Sequence, residues 1–237
     1  MKKGKSIEFK QIMNSMLWDL GKIFVQTFVK YMEKEKGISS DRFCKQSLAL
    51  GCSLDHLKTI HELGYPLSGN LFSVVLKRKD LSAGQKIEFL SWFADEGIEF
   101  ISKDVVKAAK ENEREVLEWL LESMESTEYA DDDRVLAFLA LNGQEADYID
   151  KIKERGLLCT TEVMAKAALG NEFDLLQELD KRSYPMDHRV LSYAAFNDNL
   201  EMFVWGLENG LSIQQDNIAY AKLCSSNILE YIMSREA

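Results

Sequence analysis

The chain predicts an all-α fold, an α-solenoid of stacked helix–turn–helix units, on three observations. Apolar residues recur at helical spacing through most of the 237 residues, with two prolines and few β-branched alternations. A two-helix unit repeats, most completely at Asp187 to Ile213, DHRVLSYAAFNDNLEMFVWGLENGLSI. Four copies of its second helix close on glycine, the residue best suited to the left-handed position after a helix.

Within that copy, Val190, Leu191, Ala194 and Ala195 mark one buried stripe. The turn Asn197, Asp198, Asn199 follows, and Leu200, Phe203, Val204 and Leu207 mark a second stripe that stops at Gly210. With Ala195 as anchor, the other copies place Ala49, Val75, Ala109, Ala140, Ala168 and Ala221 in the same column. Successive anchors lie 26, 34, 31, 28, 27 and 26 residues apart. Extra residues Lys77 to Gln85 explain the longest interval, and an acidic stretch from Glu122 to Asp133 explains the next. Second helices are predicted at LDHLKTIHELG, KIEFLSWFADEG, EREVLEWLLES, EADYIDKIKERG, EFDLLQELDKRS, LEMFVWGLENG and NILEYIMS.

Ala194 and Ala195 stand where the ankyrin repeat has its paired alanines, and LEMFVWGLENG resembles that family's LEVVKLLLEHG. The resemblance implies a stacked-repeat protein that binds other proteins. Two departures qualify it: most periods are near 27 where the family has about 33, and no TPLH-like helix start occurs. Joins such as YPMDHR and SIQQDN are too short for a projecting hairpin, so clear β-hairpin fingers are not expected. Shortened arrays of this kind are similar to ankyrin-like proteins of large DNA viruses, which implies a host-cell or virion setting.

Residues 1–37 are expected to form an N-terminal helical cap, and 38–237 about seven degenerate repeats in one elongated domain. No run is long and apolar enough to span a membrane. MKKGKSIEFK has basic residues without the apolar core of a secretory signal, so a cytoplasmic or nuclear location is expected. The four cysteines, Cys44, Cys52, Cys159 and Cys224, are then read as reduced. Cys44, Cys52, His56 and His61 fall within 18 residues, but their spacing does not match a zinc site.

Charge is unevenly spread. Residues 1–37 carry eight lysines against four acids, whereas Glu111 to Asp133 carries ten acids against Arg114 alone, in a chain of net charge −10. For the acidic stretch, with Glu122, Glu125, Glu128, Asp131, Asp132 and Asp133, three readings stand open: solvated surface, a dock for a basic protein segment, or a divalent-cation site at the three aspartates. Opposite charge at the head and middle also permits self-association. Trp92, Trp119 and Trp205 share one register on the second helices, five residues before the closing position. Thr59, Asp150, Glu178 and Tyr231 hold that register elsewhere, Asp150 lying six residues before its closing Gly156. Large side chains there either fill the space between repeats or form an exposed binding row.

Catalytic patterns are missing: there is no phosphate loop, no GxGxxG, no GxSxG and no HExxH, and His56, His61 and His188 have no patterned partner. A pI near 5.0 disfavours nucleic acid. The expected function is a non-catalytic protein–protein interaction scaffold without cofactor or metal. The alternative is a structural or virion component that self-associates.

Overall fold

The computed structural model describes residues 42–67, 70–125 and 129–236, and the expected cap over 1–37 lies outside them. Among the described residues there are fourteen α-helices and no strand. The chain divides after Glu99 into two compact units.

In the first unit, α1 (Phe43–Ala49) pairs with α2 (Leu54–Glu62), and α3 (Leu71–Leu76) with α4 (Ala83–Asp95). Local chemistry sets these starts. Ser53 accepts the His56 amide, Asn70 accepts that of Ser73, and Ser82 and Gln85 cap each other reciprocally. Leu48, Leu57, Ile60, Val75, Leu90 and Phe93 fill the space between, each almost fully buried. The insertion expected at Lys77 to Gln85 is the join between α3 and α4 together with the first turn of α4. One anchor shifts. Ala49 is exposed whereas Leu48 is fully buried, and Gly51 takes the left-handed place that Asn112 takes after the next first helix but one. Leu48 therefore belongs in the anchor column; the small side chain of Ala49 mimicked the pattern without sharing the burial.

The second unit holds five helix pairs. These are α5 (Ser102–Lys110) with α6 (Arg114–Ser123), α7 (Arg134–Leu141) with α8 (Ala146–Lys153), α9 (Glu162–Leu169) with α10 (Phe173–Lys181), α11 (Arg189–Phe196) with α12 (Leu200–Glu208), and α13 (Gln215–Cys224) with α14 (Ser226–Glu236). First helices pack on first helices in chain order, α5 on α7, α7 on α9, α9 on α11, α11 on α13. The small anchors Ala109, Ala140, Ala168, Ala195 and Ala221 are all buried at these contacts and let the helices approach closely.

Side chains at the turns lock neighbouring pairs together. Asn142, two residues past its anchor, donates to the carbonyl of Ala109 at 3.0 Å, and Asn197 donates to Ala168 at 2.8 Å and Leu169 at 3.2 Å. Each satisfies a carbonyl at the open end of the preceding first helix. Gly170 holds the same place after α9, where an added Cβ would lie 2.6 Å from the carbonyl oxygen of Leu141. One step further, Gln144 donates to Asn112 at 2.6 Å, Asn199 to Asn171 at 2.9 Å, and Ser225 to Asp198. The acceptors Asn112, Asn171 and Asp198 all have positive φ, as does Gly143 in the same column. Asn and Asp tolerate that conformation better than other non-glycine residues.

Second helices close as expected: Gly64, Gly97, Gly156 and Gly210 have positive φ. Ser183 holds the corresponding place after α10 at φ 60°.

Candidate functional site

The predicted tryptophans sit on second helices but not in one environment. Trp92 is 8% exposed. Its ring meets His61 of α2 at 5.9 Å and its Nε1 donates to Glu96 at 3.0 Å. Trp205 is half-buried and meets Phe173 of the preceding second helix edge to face at 5.9 Å. Trp119, also half-buried, meets Phe100 from the start of its own copy at 5.6 Å. Where polar residues hold this register they too join neighbours. Arg182 reaches back to Asp147 at 2.7 Å and Asp150 at 2.6 Å while holding Glu178 at 2.8 Å. The register is therefore chiefly one of contacts between copies.

The acidic stretch is partly internalised. Asp132 forms a two-pronged pair with Arg134, at 2.8 and 2.6 Å, and this pair holds its carboxyl below the usual range. Asp133 accepts the Thr160 hydroxyl at 3.0 Å. Glu122 faces Arg155 at 3.5 Å, Asp131 and Glu125 are exposed, and Glu128 lies outside the described residues. The Asp132–Arg134 device recurs at Asp187 and Arg189, where Arg189 additionally holds Glu162 and Thr161. No cluster of three or more metal-ligating groups occurs among the described residues. Cys44 and Cys52 are buried, and burial pushes their thiols up to about 11 and about 12 respectively.

Concave surface appears instead between second helices, on either side of α10. A cleft of about 410 Å³ between α8 and α10 is lined by Glu145, Asp147, Glu172, Asp174 and Glu178 with Arg182. Another of about 470 Å³ between α10 and α12 is lined by Phe173, Leu200, Val204 and Trp205 with Glu201 and Glu208. Glu201 and Glu208 are exposed, so carboxylates stand beside an apolar wall. Of the predicted residues, only Trp205 lines either cleft. The carboxylates and Phe173 were missed because they lie on three helices brought together by stacking.

The two ranks of helices differ in charge. In the second unit, the five second helices carry twelve Asp or Glu and five Lys or Arg. The five first helices carry three Asp or Glu and seven Lys or Arg.

No helix among the described residues is long and apolar enough to cross a membrane. No family model matches the chain, and no curated protein matches it either.

Proposed function

We propose that the chain is a non-catalytic protein-interaction scaffold whose helix pairs form an ankyrin-like solenoid, and that its second-helix face binds a basic segment of another protein. The observation that carries this is the pair of clefts flanking α10, one rich in carboxylates, the other with Trp205 and Phe173 beside Glu201 and Glu208. Such a surface takes a cationic side chain at its acidic part and an apolar one against the rings. Because the clefts are made by packed helices, a partner meets a surface that needs little ordering.

The test uses a fluorescent twelve-residue peptide of Lys and Leu at helical spacing, titrated with the full chain and followed by anisotropy. Saturable binding that weakens about tenfold in the Glu201→Lys, Glu208→Lys double variant is expected, since reversing charges at a docking site turns attraction into repulsion. Equal affinity in the variant rules this site out. Sedimentation of the free chain runs in parallel: a defined oligomer at micromolar concentration would move the reading to a self-associating structural component.

A further inference from the structure

We infer that the exposed side of the first helices in the second unit is a separate docking surface, for an acidic protein segment that carries apolar anchors. It is independent of the clefts beside α10, and either site can stand without the other.

The repeat places two residues per copy on this side, two before and one after the buried anchor. They read Lys107 and Lys110 on α5, Phe138 and Leu141 on α7, Lys166 and Leu169 on α9, Tyr193 and Phe196 on α11, Ala219 and Lys222 on α13. None is buried. Two contacts join neighbouring helices on this side: Lys110 lies over the Phe138 ring at 5.8 Å, and Phe196 meets Tyr220, beside Ala219, edge to face at 6.4 Å. Phe196 is 50% exposed, and Leu223 of α13, beside Lys222, 83%. Large apolar side chains left this open on neighbouring helices mark an interaction surface.

The charges beside them choose the occupant. Lys103 and Lys110 at one end and Lys222 at the other are exposed. The acids of these helices are largely engaged internally: Glu162 with Lys166 and Arg189, Asp216 with the Ser192 hydroxyl, Asp104 with the Ile101 amide. An acidic segment with a central aromatic or leucine fits lysines at the ends and rings in the middle. A nucleic acid fits less well. Arg134 and Arg189 already bind Asp132 and Asp187, and a chain of net charge −10 repels a densely charged polyphosphate more than a sparsely acidic peptide.

The test titrates the full chain with a twelve-residue peptide of Glu and Leu at helical spacing, at about 0.15 M salt, where screening acts over about 8 Å. Binding is expected, weakened about tenfold by Lys103→Glu with Lys110→Glu, and severalfold by Phe196→Ser. The Glu201→Lys, Glu208→Lys variant should leave it unchanged, while the basic peptide should lose affinity only in that variant. All the substituted side chains are exposed, and an unchanged melting temperature verifies the fold. The inference is overturned if the acidic peptide does not bind, if the first-helix variants bind it as the parent does, or if a twelve-nucleotide single strand displaces it at lower concentration.

Discussion

Ser183 takes a left-handed backbone conformation at φ 60° where four other copies have glycine. An L side chain there costs about 1 kcal/mol, so Ser183→Gly should stabilise the chain by roughly that amount in denaturant unfolding. Gly170 presents the opposite case. Its backbone is ordinary helix, yet a methyl group would press on the Leu141 carbonyl, which belongs to the neighbouring pair and cannot yield without moving α7. Gly170→Ala should cost about 1–3 kcal/mol. Gly84→Ala, with open space around the site in α4, should gain up to about 1 kcal/mol. If the two alanines behaved alike, helix propensity and not contact between pairs would govern this position. Part of this was legible in the chain: the closing glycines mark their own conformation. The roles of Ser183 and Gly170 were not, because one departs from the glycine pattern and the other is explained by an oxygen 29 residues away in sequence.

At the scale of the element, two first helices, α5 and α9, end in carbonyls that an asparagine of the next copy satisfies. Asn197 shares its amide between the Ala168 and Leu169 oxygens, and its removal leaves both without that donor. Asn197→Ala should therefore lose about 1–2 kcal/mol with the denaturant slope unchanged. A loss no larger than that of Asn209→Ala, whose amide bonds only within its own helix to Trp205, would show that the bridge between copies adds nothing. The helices and their order could be read from apolar spacing, but environment could not. Trp92 and Trp205 share a register, and their surroundings are decided by His61 and Phe173, contributed by the preceding copy. The aspartates of the acidic stretch suggested open surface, while the Asp–x–Arg spacing at Asp132 and Asp187 was the available sign that each charge has a partner. The exposed columns on the first helices were equally available, two before and one after each alanine, but the mixed Lys, Phe, Leu and Tyr side chains of these columns give no single pattern in the chain.

At the scale of the molecule, the linked copies respond together to acid. Glu118 is held below the usual range by Lys151, Asp132 by Arg134, and Asp150 and Asp187 by Arg182 with Tyr184 and by Arg189, which outweigh the opposing effect of burial at those two. Asp104 opposes them, its carboxyl raised by burial. For the four depressed groups the folded pKa lies below the unfolded value of about 4. Their stabilisation is complete above that pH and disappears as pH falls through the folded values. The melting temperature should thus hold from about pH 8 to 5 and fall below about pH 4. Arg182→Gln should make the fall shallower, since Asp150 then loses part of what holds its carboxyl low. A melting temperature that rises between pH 5 and 3 would refute the account.

The segregation of charge between the two ranks gives the second unit a dipole across its helix pairs. Paired helices lie about 8–10 Å apart, and screening acts over about 8 Å at physiological ionic strength but about 30 Å at 0.01 M. An approaching partner therefore meets two distinct potentials in physiological salt. In very dilute buffer the range of each rank's field exceeds their separation, and the excess acid dominates both. The acidic peptide's association rate should accordingly pass through a maximum as salt is raised, where a uniformly basic surface would show only a decline.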